Sequence, residues 1–289
     1  MTIVNGAGFG KAARVLHAGK LEAYTVRTAE TTTVASAVYS KTAPINNLTA
    51  ERYKPNAATW TYEIELTGDN TEVDCLCLAA HTLGSTGCTV TLSRYSDGDY
   101  ATINTVSPTD NSPIMFLFGD TDLPVYEETQ PELYLDFTTE TYASPFTSKR
   151  FRLSVTGGAA ELGILRIGNS LQMERPFYGN YTPARMNRKS DIIGNRSERG
   201  ELLGRSIIRT TLTGDYKWNN LTYAWVRTNL DTPAGLIQSV EINPLFLAWR
   251  PSLTQDVDFI MIANTTPPQT TGIRDLMSFS LSGEVYSYE

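Results

Sequence analysis

The chain is poor in the residues that do most enzymatic chemistry. Its 289 residues include only two histidines, His17 and His81, and three cysteines, Cys75, Cys77 and Cys88. Two histidines remove most histidine-based metal sites and proton relays. An odd, closely spaced set of cysteines argues against a disulfide framework. Cys75 and Cys77 fall on one face of a strand and read as small buried hydrophobes with free thiols. Their C-x-C spacing with His81 and Cys88 matches no common zinc site. No stretch is apolar enough to span a membrane, and the opening MTIVNGAGFG lacks the basic region and apolar core of a signal peptide. Charged residues make up 19% of the chain and the net charge is −7. Affinity for nucleic acid rests on neutralising phosphates, so no nucleic-acid partner is expected.

Catalytic motifs are missing as well. Gly6, Gly8 and Gly10 precede Lys11, but a dinucleotide fingerprint needs glycine where Lys11 stands. A P-loop needs four residues before its Gly-Lys pair and Ser or Thr after it, whereas three residues separate Gly6 from Gly10 and Ala12 follows Lys11. No G-x-S-x-G elbow is present. The carboxylate pairs Glu127-Glu128 and Asp97/Asp99 fall in expected loops and read as solvated charge, and Asp97-Gly98-Asp99 lacks a full Ca²⁺-loop spacing. These readings imply no enzyme activity, no cofactor and no metal.

What is present is β-structure. WTYEIEL (Trp60–Leu66) alternates, as a half-buried strand does. Val73–Ala80 is a continuous apolar run, suited to a central strand buried on both faces. Further strands are expected at Ala12–Leu16, Ala23–Thr28, Cys88–Tyr95, Pro113–Phe118, Glu132–Phe137, Arg150–Val155 and Leu162–Ile167, with turns at Thr82–Gly87 and Ser96–Asp99. The spacing indicates a β-sandwich or barrel. Residues 168–205 lack sustained periodicity and carry prolines, glycines and clustered charge. Strands return at Arg205–Thr211, Gly214–Trp218, Ser239–Ile242, Leu245–Trp249, Phe259–Ala263 and Met277–Tyr286. Tyr223–Asn229 reads as a helix capped by Asn220 or Thr222. The expected organisation is therefore all-β: a sandwich or barrel over residues 1–170, a linker and extended assembly arm over 171–204, and a β-rich assembly domain with about one helix over 205–289.

The arm is electropositive on an acidic chain. Between positions 185 and 209 stand seven basic residues, Arg185, Arg188, Lys189, Arg196, Arg199, Arg205 and Arg209, against Asp191, Glu198 and Glu201. Arg185, Arg188, Lys189, Arg196, Arg199 and Arg205 are candidate interface residues. So are Trp249 and Arg250 in the run PLFLAWRP, which also reads as core.

Two resemblances add to this. Asn46-Asn47-Leu48, Arg52-Tyr53-Lys54-Pro55, the WTYEIEL strand and the stretch Cys77–Leu92 resemble the galactose-binding-like (discoidin-type) jelly roll over roughly residues 10–168. The Ser96–Asp99 turn falls where that family often has one. The likeness implies a jelly-roll sandwich, with Tyr53, Lys54, Arg94 and Tyr95 nearest to a glycan site on end loops. Three later stretches are similar to bacteriophage tail proteins: Leu171–Pro176 leading to Gly204–Arg209, Pro244–Pro251 and Thr271–Ser278. That similarity implies a tail-tip, baseplate or adaptor subunit made in a bacterial cytoplasm and residing in the virion. It would form a symmetric ring with copies of itself and contact other tail proteins. The competing reading is a carbohydrate-binding module for host-surface glycans, and a glycan-degrading enzyme is the remotest.

Overall fold

A computed structural model describes residues 13–29, 40–55, 57–67, 73–96, 98–118, 149–175, 184–196, 198–233, 235–249, 251, 255–272 and 275–286. The glycine-rich run ending at Lys11, the expected strand Glu132–Phe137 and the Glu127-Glu128 pair lie outside these residues. So do Asp97, Arg250 and the side chains of Arg185 and Arg196.

Five antiparallel strands form one sheet in the order β2-β3-β8-β5-β6: β2 (Tyr24–Ala29), β3 (Trp60–Leu66), β5 (Thr89–Ser96), β6 (Asp99–Val106) and β8 (Arg150–Thr156). Three more form a second sheet, β7-β4-β9: β4 (Cys75–Ala79), β7 (Ile114–Leu117) and β9 (Ile164–Gly168). Their facing side chains interdigitate into one core that includes Tyr53, Trp60, Tyr62, Ile64, Leu76, Leu78, Phe116, Phe151 and Leu165. This is the expected jelly-roll sandwich. Alternation puts Trp60, Tyr62, Ile64 and Leu66 of β3 inward and leaves Glu65 on the outer face.

The apolar run at β4 has its reason in a third layer. Leu76 and Leu78 face the jelly-roll core, while Cys75, Cys77 and Ala79 face Leu16, Phe246, Ala248 and Phe259. Those partners belong to a seven-stranded sheet ordered β10-β1-β13-β14-β15-β12-β11. Its strands are β1 (Arg14–Leu16), β10 (Leu171–Gln172), β11 (Arg188–Arg196), β12 (Leu202–Thr222), β13 (Leu245–Ala248), β14 (Val257–Thr270) and β15 (Leu276–Val285). On its far side, Val15, Tyr216, Trp218, Leu245, Leu247 and Phe279 pack against α1 (Tyr223–Asn229) and α2 (Leu236–Ser239). Thr222 caps α1, its hydroxyl accepting from the Trp225 amide, as expected from the sequence.

The layers are tied by buried polar contacts. Arg14 of β1 lies 3.3 Å from Asp74, which also accepts from the amide (2.6 Å) and hydroxyl (2.9 Å) of Ser170. Burial pushes the Asp74 carboxyl up, and the Ser170 and Arg14 contacts offset only part of that. Gly168 is required where the sheets meet: a Cβ there would stand 2.1 Å from the Lys20 carbonyl oxygen.

Four features differ from the sequence reading. β1, near the start of the chain, belongs to the C-terminal sheet by pairing with β13, so the first and last segments share one structure. β6 follows the expected Ser96–Asp99 turn as a strand the sequence does not announce, because its exposed and half-buried residues, DYATINTV, carry little apolar signal. Ser239–Ile242 is not a strand: Ser239 ends α2, and a turn follows. The expected irregular arm contains a regular strand, since β11 pairs along its length with β12. β11 is wet on both faces, so no burial imposes an alternation that would reveal it. The register shifts opposite Asp191/Ile192 and Asn195/Arg196 place the extra residues, Ile208 and Leu203, on β12.

Candidate functional site

The four candidate glycan residues do not converge. Tyr53 is fully buried, its ring centroid 5.7 Å from Trp60 and 5.5 Å from Tyr62, so it holds the core and meets no ligand. Its backbone exchanges hydrogen bonds with Leu162, which fixes it inside. Lys54 donates to Glu161 at 3.0 Å, and Arg52 donates to the other carboxylate oxygen at 3.3 Å. Burial pushes the Glu161 carboxyl up, but these two cations outweigh it and hold the group below its ordinary value. Arg94 and Tyr95 are neighbours on β5 and therefore point to opposite faces. Arg94 shares the side of its register partner Phe151, and Tyr95 lies on the outer face.

That outer face holds the most organised polar surface of the jelly roll. Glu65 accepts from Arg27 (3.2 Å) and Arg150 (3.1 Å), and Glu63 accepts from Arg152 (2.6 Å). The Arg150 guanidinium lies 5.2 Å from the Tyr95 ring centroid, and that of Arg152 lies 3.7 Å from Tyr100. Tyr95 and Tyr100 meet edge to face at 5.3 Å. The hydrogen bond from Arg150 leads the causes that hold the Glu65 carboxyl below its usual range, whereas burial raises the Tyr100 phenol. Sequence reasoning missed Arg27, Glu63, Glu65, Arg150, Arg152 and Tyr100. The signal was there: WTYEIEL and RFRLSV each alternate charge with apolar residues, so two acids and two arginines must face outward on strands that pair.

The second organised surface is the ribbon formed by β11 and the first half of β12. Ile192, Ile193, Leu203, Ile207 and Ile208 are each more than half exposed, Leu203 reaching 67%. Arg188, Lys189, Arg199 and Arg205 are exposed on the same ribbon. Ile192 pairs with Ile207 on one face, and Ile193 with Ser206 on the other, so apolar side chains stand on both faces. Arg209 lies 3.7 Å from Asp191 and 3.9 Å from Glu284. The expected interface residue Trp249 is corrected: it is 8% exposed and packs in the core beneath the helices.

Both histidines are buried, and burial is the leading cause that lowers each to a pKa of about 4. His17 Nδ1 lies 2.6 Å from the Ser239 hydroxyl. All three cysteines are free and buried. Among the described residues there is no group of three or more His, Cys, Asp or Glu placed to hold a metal ion. No helix among them is long and apolar enough to cross a membrane.

No family model matches the chain, and no curated protein matches it in sequence. Several solved structures are similar in part. Chitosan-binding module 1 of a chitosanase/glucanase from Paenibacillus sp. IK-5 matches at 12% identity and TM-score 0.35, over 53% of this chain and 98% of that one. The family 32 carbohydrate-binding module of NanJ from C. perfringens, in complex with galactose, matches at 10% identity and TM-score 0.34, over 50% and 92%. The family 32 module of EndoD from Streptococcus pneumoniae matches at 14% and 0.35, over 52% and 97%. The jelly-roll assignment rests on the sheet order described above, and what those modules bind is a property of theirs.

Proposed function

We propose that the chain is a non-catalytic structural subunit that works by assembling with other protein chains. The observation that carries this reading is the β11–β12 ribbon. A two-stranded ribbon is only marginally stable in water by itself. This one exposes five large aliphatic side chains on two faces, where a solvated hairpin would carry polar residues. A partner that covers the ribbon removes both costs. The jelly roll, fixed to the same sheet through β4, is then carried as an outward module. A place in a phage tail, implied by the resemblance of the later segments, is a special case of this reading, as is a symmetric ring. Sedimentation of the purified chain tests it: a defined multimer is expected, and a monomer at every concentration would remove it.

A second reading has its own observation. The Tyr95–Arg150 and Tyr100–Arg152 pairs beside Glu63 and Glu65 combine aromatic edges with planar hydrogen-bonding groups, the chemistry that recognises sugar hydroxyls and ring faces. In this reading the jelly roll binds surface glycans. A glycan array with the wild type and Tyr95→Ala distinguishes the two: selective binding lost in the variant supports it, and uniform background removes it.

A further inference from the structure

Four strands of the large sheet define two unused edges. β12 pairs antiparallel with β11 and β15, and β15 pairs antiparallel with β14. Leu212 sits at a common level, opposite Arg188 of β11 and Val285 of β15, and Val285 in turn faces Ile260 of β14. From that level the β11 ribbon runs toward one end of the sheet. The distal half of β14, from Met261 to Thr270, runs toward the other. β13 stops pairing with β14 at Ile260, so among the described residues no strand covers that half of β14 on its outer side. Nor does one cover β11 on its outer side.

Proteins ordinarily protect such edges with charge, proline, bulges or a covering element. Here β14 has a register shift at Ile262/Asn264, and β11 carries Arg188, Lys189, Asp191 and Arg196 around an uncharged middle. Met261–Thr266 (MIANTT) carries no charge and no proline, and Pro267-Pro268 then close off the rest. β11 presents Ile192 and Ile193 at its middle. The strand directions also match. Because β14, β15, β12 and β11 alternate, a further β14 laid beside β11 continues the antiparallel order with both copies in the same orientation. Charge favours a second copy as the occupant. Residues 188–209 hold six basic and three acidic side chains, which gives them +3 and leaves −10 on the rest of a chain whose total is −7.

We propose that β11 of one copy adds as a strand to the Met261–Thr266 edge of β14 in the next copy, a head-to-tail sheet extension that rests on the assembly reading above. The interface is heterologous: each copy uses one edge at one end and the other edge at the opposite end. Each junction therefore displaces the next copy along the strands. A constant stagger of this kind closes into a barrel of tilted strands or winds into an open helix.

The experiment is cysteine cross-linking in co-expressed full-length chains, the three native cysteines being buried. Cysteine replaces Ser190, Ile192 or Gly194 in one copy and Ile262, Asn264 or Thr266 in the other. A covalent dimer is expected in at least one mixed pair and in no variant expressed alone. Ile192→Cys cross-linking to itself, or a multimer that gives no mixed cross-link, would overturn the head-to-tail edge and leave assembly standing. A monomeric wild type would overturn both. So would a monomeric wild type that binds anionic lipid vesicles through the ribbon, since that shows a different occupant. Ile192→Asp is the companion variant: it should weaken self-association by roughly tenfold or more with an unchanged unfolding midpoint for the dissociated chain.

Discussion

Strand β12 passes through two environments. From Leu212 to Trp218 its side chains alternate between core and surface, with Tyr216 and Trp218 packed against the helix layer. From Leu203 to Arg209 every side chain is exposed. Both halves are β-strand, the exposed one paired with β11 and the packed one with β15, yet only the packed half has a hydrophobic reason to be strand within this chain. Backbone pairing alone does not hold a two-stranded ribbon firmly. The contrast teaches that half of this strand is held by burial within its own fold and half is not, which is the half the proposed assembly would cover.

The largest effect should come from breaking the packed half. Trp218→Ala removes an indole stacked between Tyr216 and Phe279 and should cost about 3–5 kcal/mol in denaturant unfolding. A loss under 1 kcal/mol would mean this core is loosely packed.

Acid should act next, and only on the buried part. His17 and His81 have folded pKa values near 4, below their ordinary 6.5, so the fold favours the neutral imidazoles. That contribution is complete above pH 6.5 and is lost as pH falls from 6.5 toward 4. Each histidine accounts for about 3 kcal/mol across that window. Asp74, raised by burial, works with the opposite sign. Denaturant midpoints measured from pH 7.5 to 4.5 should fall steeply in the wild type and less steeply in His81→Gln. Equal slopes would show that His81 does not report on the core.

The ribbon should respond in the reverse manner. Ile207→Asp should shift the stability of the dissociated chain by no more than about 0.5 kcal/mol, because the site is exposed. Its effect belongs in the assembly state. A large loss of monomer stability would place Ile207 in an intrachain core and dissolve the contrast. The smallest effect is ionic. Exposed charge on the ribbon is screened by salt, so self-association should weaken as ionic strength rises past physiological values. Salt-independent association would assign the contact to the isoleucines alone.

Much of the fold could be read from the sequence where burial imposes a period. WTYEIEL, the run at β4 and the helix at Tyr223–Asn229 each had a pattern that burial explains. β4 was legible even in its two-sided burial, since a strand between two layers has no polar face. The pattern is silent where no burial disciplines the sequence: at β6, whose side chains are exposed or half-buried, and at β11, which is wet on both faces. β1 could not be assigned to the right sheet, because pairing between residues 14–16 and 246–248 is a tertiary choice that three residues do not encode. The candidate sites fared unevenly for the same reason. Tyr53 and Trp249 carry chemistry suited to binding, but only the surrounding strands decide whether such a ring faces a core. The outward Glu63, Glu65, Arg150 and Arg152 follow from alternation, but only the pairing of β3 with β8 brings them into one cluster. The basic arm was found from charge alone, though not its strand character or its isoleucines.

The most direct test compares the intact chain with a version in which residues 191–209 are replaced by Asn-Gly, joining the paired Ser190 and Thr210 through a tight turn. Mass is read by sedimentation. The intact chain should sediment as a whole multiple of its 31.9 kDa mass, and the shortened chain as a folded monomer. An intact chain that stays monomeric, or a shortened chain that assembles equally well, would contradict the assignment of assembly to the ribbon.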